Sequence, residues 1–413
     1  MVLRMIKFQH LPQNNDIREY LGLNLKMLSF IGLEFNLNND QPIKKSKFMQ
    51  ILPIFMTNIV SLTIAALEIT FIAFVLRNHE EHLAVQICSE LFSNILCIGK
   101  SLRMATAVES IQAAFDEVSI LWAKHRPNQH CKMEIMKKAR STLNFSRWYL
   151  GFLITGIAGF ALPPIHNFVY QYFIRDANNY TLAFSKRIFL LRYPFEINNV
   201  PLFFFVLTEE GYILLISAMH WVTCDTLFAQ ITTHTSIQLK ILHYDIGALI
   251  DHESVEDRLK AKILIIIRRH QCLLRVCRLI EDIFSPVILT TVLLSALNIC
   301  VNIFETKAMN AEGNYARAAL HANLVLILFL QILFYCSFAE TLTDQTSAIA
   351  ESVYNCKWTE KNHKLGFYLQ MIMMKSQSPF YCTAYGFFPI GHARMASIIS
   401  TSFSYLMMLQ SMS

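Results

Sequence analysis

Charged residues, glycine and proline are all scarce in this sequence. Asp, Glu, Lys and Arg together make up 16% of its 413 residues, and there are 12 glycines and 11 prolines. Soluble domains usually contain about 25% charged residues, so this composition does not fit a water-soluble globular protein. Few glycines and prolines favour long helices over many turns. Hydrophobic residues reach 54%, with a mean hydropathy of +0.37, which indicates a membrane protein.

Signatures of several other protein classes are missing too. There is no clear internal repeat, low-complexity tract or long charged tail. Arg18 and Lys26 interrupt the apolar residues at positions 1–34, so no cleavable signal peptide is expected. None of the ten cysteines falls in an expected outer loop, which argues against extracellular disulfides. No cysteine–histidine spacing suits zinc, and no nucleophile constellation appears. We therefore expect no enzyme activity, metal, cofactor or nucleic-acid partner.

Seven apolar stretches predict an all-α polytopic membrane protein with seven transmembrane helices. About twenty residues are needed to cross a bilayer. Lipid offers no partner to unpaired backbone groups, so each crossing has to be helical. The predicted spans are residues 48–76, 83–104, 148–170, 200–223, 280–304, 318–339 and 381–411.

The segments between the spans fall into two groups. On one side lie the amphipathic N-terminal helices at 1–47, the loop 105–147, the helices 224–279 and the segment 340–380; on the other lie the loops 171–199 and 305–317. Most of the 36 lysines and arginines lie on the first side, which makes it cytoplasmic. The predicted topology therefore places the N-terminus inside the cell and the C-terminus outside.

The cytoplasmic segments are long and helix-prone, with mixed charge and scattered apolar residues. We expect them to extend the membrane helices into a cytoplasmic assembly layer, and simple helical hairpins in the cytosol are the alternative. On the opposite side, Asn179-Tyr180-Thr181 is a glycosylation sequon within the loop 171–199. Asn144-Phe145-Ser146 is a sequon on the inner side, so the motif alone is weak support for the topology.

Acidic residues within the spans need partners, because an unpaired charge in lipid is costly. Glu68, Glu90, Glu209 and Glu210 lie in or near apolar stretches. Such residues usually face a cavity or a neighbouring helix. At least one of Glu209 and Glu210 has to avoid lipid, and we favour a structural role for it over ligand contact.

The last span carries a stripe of hydroxyl groups on an otherwise apolar helix at 391–411. Residues three or four apart share one helix face, and this face contains Ser397, Ser400, Ser404, Met408 and Ser411. One interpretation is helix packing, since serines let membrane helices approach closely. The other is the wall of a water-filled path, since pores have polar faces and hydrophobic constrictions.

Motifs in the last eighty residues carry a family resemblance. They are Phe334-Tyr335-Cys336, Glu340, the segment 354–358, Ser376-Gln377-Ser378-Pro379, Gly386-Phe387-Phe388-Pro389 and Ser402-Phe403-Ser404-Tyr405. Together they resemble the C-terminal signature of insect odorant receptors, whereas the preceding residues match only in length and hydropathy. The resemblance implies a ligand-gated, non-selective cation channel in the plasma membrane of olfactory neuron dendrites, with the inverted topology derived above.

The resemblance also implies partners. The resemblance implies a tetramer whose subunits are held together by cytoplasmic helices. In this sequence these helices correspond to roughly residues 223–278 and 340–376, which include Tyr354 and Trp358. Spans four and five are joined by a connection of ordinary length, so the chain resembles a variable tuning subunit that pairs with a co-receptor. An apolar residue at the position of Met408 narrows the pore in the family.

The same resemblance places a pocket for a small volatile odorant among the outer halves of the second to sixth spans. Pockets for such ligands are apolar with few polar anchors. From helix position we choose Phe92, Phe152, Thr155, Phe204, Phe205, Thr208, Tyr212 and Asn323 as ligand contacts.

Two alternatives stay open, a G-protein-coupled chemosensory receptor and a small-molecule transporter. Against the first are the orientation and the absence of Asn-Pro-x-x-Tyr in the last span and of Asp-Arg-Tyr after the third. Against the second is the absence of the repeats and broken helices that transporters often show.

The charge asymmetry predicts which terminus antibodies reach. An epitope fused after Ser413 should stain on intact cells, and one fused before Met1 should stain only after permeabilisation, because the basic segments stay cytoplasmic. Immunofluorescence on the same cells before and after detergent measures this. The reverse staining pattern would contradict the topology and favour the G-protein-coupled alternative.

Overall fold

The computed structural model describes residues 17–37, 46–79, 81–125, 129–178, 184, 186–249, 256–356, 358 and 363–412. Within these residues the chain forms ten α-helices and one isolated β-bridge, between Thr383 and Pro389. The helices are α1 (Ile17–Phe30), α2 (Lys47–Arg77), α3 (Glu81–Thr106), α4 (Val108–Lys124), α5 (Gln129–Asn178), α6 (Val200–Gly247), α7 (Glu256–Ala311), α8 (Tyr315–Asn355), α9 (His363–Ser376) and α10 (His392–Met412).

Six of these helices are long and apolar enough to cross a membrane. The crossing stretches lie in Lys47–Arg77, Leu83–Thr106, Cys131–Phe173, Val200–Gly247, Glu256–Ala311 and Tyr315–Asn355. The predicted all-α membrane fold is confirmed. The last predicted span, 381–411, begins in the non-helical residues before α10 and overlaps α10 from His392 onward; the side chains of α10 are only partly described beyond Ile398. The exact span limits and the orientation stay predictions.

Local sequence signals set the starts of several membrane helices. The Ser46, Asn199 and Asn314 side chains accept hydrogen bonds from the backbone N–H groups of Met49, Leu202 and Arg317, at 3.4, 2.8 and 3.4 Å. These caps satisfy N–H groups that a helix leaves unpaired at its first turn. Gly313, with φ of +74°, makes the tight turn between α7 and α8, a conformation that side chains disfavour.

The bundle has two different ends. We call the end where α2 turns into α3 and α7 turns into α8 the loop end, because it also carries residues 186–199. At the opposite end, the layer end, α1 packs on α6, α4 on α7 and α9 on α8. At 1.5 Å per residue, the 48 residues of α6 and the 56 of α7 span roughly 70 and 85 Å, well beyond a hydrocarbon core of about 30 Å. The long helices therefore continue into a separate helical layer.

Helix α6 is the axis of the molecule. Residues 218–239 are buried at every position, which is typical of a helix that neighbours surround on all sides. Its polar groups are paired in part with other helices: Asn24 of α1 donates to the Thr226 hydroxyl at 3.0 Å, and Gln230 donates to Ser146 of α5 at 3.1 Å. Leu28, Phe115, Phe228, Ile349 and Leu369 belong to one buried cluster, so the layer and the membrane helices share a continuous core.

A tight hairpin at residues 382–390 leads into α10. The Ala384 and Ile390 N–H groups donate to the Phe388 and Cys382 carbonyls, each at 2.9 Å. Glu281 of α7 anchors the hairpin by accepting from the Thr383 N–H at 2.9 Å. At the start of α10, a Cβ on Gly391 would clash with the Glu340 carboxylate of α8, so a larger residue there would displace the carboxylate that accepts from the His392 N–H.

Candidate functional site

A cavity of about 380 Å³ lies in the loop-end half of the bundle. Helices α3, α5, α6 and α8 form most of its wall, and residues 186–190 form part of it at the loop end. The volume is within the range of pockets that enclose small organic ligands. We therefore take it as the candidate ligand site.

The apolar wall depends on small residues in α5. Leu153, Phe160 and Ile327 supply hydrophobic surface, and Gly156 and Gly159 border the cavity between them. A Cβ on Gly159 would come 3.1 Å from Leu320 of α8, whereas one on Gly156 would meet its nearest neighbour, Ile327, only at 3.9 Å. Gly159 thus permits the close packing of α5 against α8, and Gly156 leaves open space in the cavity.

One wall is polar and is built from three helices. Ser89 of α3 donates to the Asn298 side-chain oxygen at 2.8 Å, and the Asn302 amide donates to the Ser89 hydroxyl at 2.7 Å. The Asn298 amide donates to Ser93 at 2.8 Å, and His321 Nδ1 lies 2.9 Å from Asn302 Oδ1. Ser89, Ser93 and His321 border the cavity. These hydrogen bonds connect α3, α7 and α8. They also pair polar side chains that would find no hydrogen-bond partner in lipid.

Two carboxylates, one buried and one half-buried, hold residues 186–193 against the bundle. Glu210 of α6 accepts from the Ile188 N–H at 2.9 Å and from the Tyr193 hydroxyl at 3.0 Å. Glu90 of α3 accepts from the Leu190 N–H at 3.0 Å. The segment therefore covers the cavity from the loop end. Glu210 is buried and Glu209 is exposed, so Glu210 is the acid that avoids lipid, in a structural contact.

Next to the cavity, behind Trp221, lies a buried ion pair that we call the hub. Lys100 Nζ of α3 lies 2.5 Å from Asp225 Oδ1 of α6, and both side chains are almost fully buried. The Tyr149 hydroxyl, the Gln331 amide and the Tyr335 hydroxyl also donate to the Asp225 carboxylate, at 2.8, 2.7 and 2.7 Å. Asp225 thus accepts four hydrogen bonds, which compensates for its removal from water.

Trp221 connects the hub to the cavity. It lines the cavity, its Nε1 donates to the Tyr149 hydroxyl at 3.1 Å, and Lys100 Nζ lies 4.5 Å from its ring centroid. A cation at this distance from an indole face is attracted to it. A ligand in the cavity would therefore rest against a side chain that is held by the hub.

None of the eight ligand contacts chosen from the sequence lines this cavity. Thr155, Phe204, Phe205, Thr208 and Tyr212 are exposed on the outer surface of the chain, and Phe92, Phe152 and Asn323 are half-buried. The sequence neighbours Ser93, Leu153, Gly156, Ile213 and Leu324 line it instead. Consecutive residues of an α-helix point in directions about 100° apart around the helix axis. The predicted contacts and the residues that line the cavity therefore lie largely on the same helices but on different faces, and the sequence does not distinguish these faces because lipid-facing and inward-facing surfaces are both apolar.

The other predicted site residues lie at the surface or outside the described residues. Ser397, Ser400 and Ser404 are exposed, whereas the side chains of Met408 and Ser411 lie outside the described part of the chain, as does Asn179. Tyr354 is 74% exposed. Trp358 is half-buried, and a Cβ on Gly366 of α9 would come 3.1 Å from its ring. Trp358 therefore packs within its own chain, and Tyr354 is available for contacts beyond it.

The start of α10 is attached to α8 below the hub. The Glu340 carboxylate accepts from the His392 N–H at 3.3 Å, and the Ser337 hydroxyl lies 3.3 Å from His392 Nε2. Both α8 residues lie within two turns of Tyr335. The sequence analysis did not predict the hub. The signal in the sequence that could have predicted the hub was a lysine and an aspartate, each within an apolar helix.

Comparison with known proteins matches the profile of the family described as 7tm Odorant receptor to residues 82–403. Odorant receptor 13a and Odorant receptor 45a of Drosophila melanogaster are 25% and 26% identical over 45% and 52% of this chain, covering 48% and 57% of their own. The match thus spans about half the length of these relatives. The odorant receptor coreceptor of Ooceraea biroi is 20% identical over 35% of this chain and 30% of its own.

The fold is also similar to a solved structure. The insect olfactory receptor OR5 from Machilis hrabei, in complex with eugenol, superposes with a TM-score of 0.81 over 96% of this chain and 99% of that one. The sequence identity is 15%, so this likeness concerns the fold alone.

The hub predicts that the stability of the folded protein depends strongly on Lys100. Lys100→Met should destabilise the protein by about 3–5 kcal/mol, because it leaves the Asp225 carboxylate buried without its cation. Adding Asp225→Asn should recover most of the loss, since the charge is then gone. The melting temperature of the detergent-solubilised protein measures both effects.

An exposed ion pair provides the control. The side chains of Lys47 and Glu109 are 71% and 78% exposed, and surface pairs contribute little, so Lys47→Met should leave the melting temperature unchanged. Equal effects of Lys100→Met and Lys47→Met would contradict a stabilising hub.

Proposed function

This chain belongs to the 7tm odorant receptor family, and on that premise we propose that it is an odorant receptor subunit that binds a small volatile ligand in the cavity described above and gates a non-selective cation channel. The observation that carries the proposal is the cavity itself. It is bordered mainly by apolar side chains, has a few polar groups on one wall and is covered by residues 186–190. This is the chemistry that suits a small, largely apolar molecule.

The similar olfactory receptor was solved with eugenol, a small aromatic volatile. A cavity of about 380 Å³ has room for a molecule of that size. We take this as support for a volatile ligand of similar size, and the identity of the natural odorant is a separate question.

For the pore we propose the exposed face of α10. Ser397, Ser400 and Ser404 lie on it, and no part of the described single chain covers them. A hydroxyl face on an apolar helix suits the wall of a path that several subunits share around a central axis. Met408 and Ser411 continue the same face in sequence, and we assign the narrowest ring to Met408.

For assembly we propose a heterotetramer with the co-receptor, formed through the layer end, with the chain acting as the tuning subunit. The exposed Tyr354 at the end of α8 suits a subunit contact, since aromatic side chains are enriched at interfaces. Similarity to the coreceptors of Ooceraea biroi and Anopheles gambiae extends over only 35% of this chain, which fits a related but different subunit. The assembly would reside in the plasma membrane of olfactory neurons with the layer in the cytosol.

Current recording tests the receptor function and the assignment of the cavity together. Co-expressed with a co-receptor, the chain should produce odorant-evoked cation currents that persist when G proteins are blocked. Gly156→Leu should raise the half-maximal odorant concentration at least tenfold, because the new side chain fills the cavity. The adjacent Thr155→Leu is the matched control: Thr155 is exposed outside the cavity and its replacement should leave the response unchanged.

Two outcomes of that experiment count against the proposal. Currents that disappear with G-protein block would favour a G-protein-coupled receptor. A response lost in Thr155→Leu and retained in Gly156→Leu, with both proteins at the cell surface, would place the ligand elsewhere.

The gate assignment predicts leak current. Met408→Ser should raise the basal current without odorant, because a hydroxyl ring hydrates a constriction that apolar side chains keep dry. Met408→Leu keeps an apolar side chain of similar size and should behave as the parent does. Whole-cell recording with surface labelling compares the three. A serine variant with normal surface level, unchanged basal current and unchanged ion selectivity would refute the assignment.

A further inference from the structure

Pro286 interrupts the backbone hydrogen bonds of α7 near the middle of that helix. Because proline has no N–H, the backbone carbonyl of Asp282, four residues earlier, loses the hydrogen bond that a helix would give it. A backbone carbonyl without any partner costs free energy comparable to a lost hydrogen bond. The chain is nevertheless helical on both sides of Pro286, so a donor from elsewhere is expected at this carbonyl.

The donor is Arg103, which lies in the last turn of α3. One terminal nitrogen of its guanidinium donates to the Asp282 backbone carbonyl, and its Nε donates to the next carbonyl, that of Ile283, at 3.0 Å. A guanidinium presents its N–H groups in a fixed fork, and hydrogen bonds from a charged donor are stronger than those between neutral groups. Arg103 therefore supplies, from a neighbouring helix, the hydrogen bond that Pro286 cannot make.

The side chain of Asp282 helps to orient the guanidinium. Its Oδ2 lies 3.6 Å from the Arg103 guanidinium and accepts from the Ser110 hydroxyl of α4 at 3.0 Å. This carboxylate is 62% exposed, and exposed ion pairs contribute little by themselves. The backbone carbonyls next to Pro286 are therefore the main partners of Arg103, and the ion pair adds direction.

The same turn of α7 holds the hairpin that leads into α10. The Glu281 carboxylate accepts from the Thr383 N–H at 2.9 Å and from the Thr383 hydroxyl. That hydroxyl also accepts from the Gly386 N–H at 2.8 Å, so Glu281 contacts the hairpin where its turn is closed. Helix α10 then packs against α7. The direction that α7 takes at Pro286 therefore determines where α10 begins.

Resting on the proposed channel function, we infer that Arg103 is a positioning residue for the pore helix: it fixes α7 at Pro286 and, through Glu281, the hairpin from which α10 starts. Helices bend most sharply at proline, and the guanidinium bridges this point from α3. Without Arg103 the two halves of α7 can change their angle. The start of α10 then moves with the layer-end half, because Glu281 belongs to that half.

A double-mutant cycle on the purified receptor complex tests whether Arg103 compensates for Pro286. Pro286→Ala restores an N–H that can donate to the Asp282 carbonyl, so Arg103 becomes largely dispensable in that background. Arg103→Met should therefore lower the melting temperature of the parent and lower that of Pro286→Ala by less than half as much. Arg275→Met is the matched control: Arg275 of α7 pairs with Glu117 of α4 at 2.8 Å, about three turns from the proline, so its effect should be the same in both backgrounds.

Current recording on the same variants, co-expressed with a co-receptor, tests the positioning role. The readout is the ratio of basal current to maximal odorant-evoked current, which does not depend on the number of channels at the surface. Arg103→Met should change this ratio by about threefold or more, within the range of coupling between contacting residues, and adding Pro286→Ala should remove most of the change. Thr383→Val weakens the contact with Glu281 while Arg103 and Pro286 stay in place, and it should change the ratio in the same direction.

The two readouts separate this inference from the proposed function. An equal effect of Arg103→Met on the melting temperature in both backgrounds overturns the inference, as does the same coupling in Arg275→Met. Unchanged current ratios in Arg103→Met and Thr383→Val also overturn it, because Arg103 is then only stabilising. If Arg103→Met does not reach the surface, Thr383→Val alone decides the current measurement. Coupled melting temperatures in a complex whose parent gives no odorant-evoked current support the contact at Pro286 and count against the channel function.

Discussion

The arrangement of the membrane helices depends on the ion pair between Lys100 and Asp225. Burying either charge alone costs several kcal/mol, and only close pairing with further hydrogen bonds offsets that cost. Here the carboxylate accepts from Lys100 of α3, Tyr149 of α5, and Gln331 and Tyr335 of α8. Helices α3, α5 and α8 therefore meet at one point along α6. These four helices also form most of the wall of the cavity, and Trp221 contacts both the cavity and the hub.

The hub also joins the cavity to the start of the last helix. Trp221 touches both the cavity and Tyr149, and Tyr335 of α8 lies between Asp225 and the contacts of Ser337 and Glu340 with His392. The hub contacts are short and buried, whereas the two polar contacts of His392 with α8 are longer, at 3.3 Å, and nearer the surface. Residues that contact one another thus connect Trp221 with the part of α8 that holds the start of α10. Coupling between a ligand and α10 would in addition require an element with two alternative arrangements.

Sequence analysis identified the all-α membrane fold and the family, because both depend on features that persist along the chain: apolar length, basic asymmetry and the motifs after residue 334. It could not identify the cavity contacts. Thr155 and Gly156 are equally compatible with a membrane helix, and only packing decides that Gly156 borders the cavity while Thr155 is exposed. The hub was missed because its members are 125 residues apart, and pairing over that distance leaves no local pattern. Acidic residues within spans were better guides: Glu210 pairs with residues 188 and 193, and Glu90 reaches the cavity.

The cavity and the hydroxyl face of α10 differ in whether a single chain completes them. The cavity is bordered within one chain by residues of the loop-end half, whereas the hydroxyl face of α10 is uncovered in that chain and needs neighbours to become a path. Substitutions at positions such as Gly156 or Ser93 alter cavity volume or hydrogen bonding without touching the layer helices α1, α4 and α9. Ligand preference can therefore change among related chains while the assembly surface stays the same. The constraint on that change is the hub, since any cavity variant still has to keep Lys100 and Tyr149 in contact with Asp225, and Trp221 in contact with Lys100 and Tyr149.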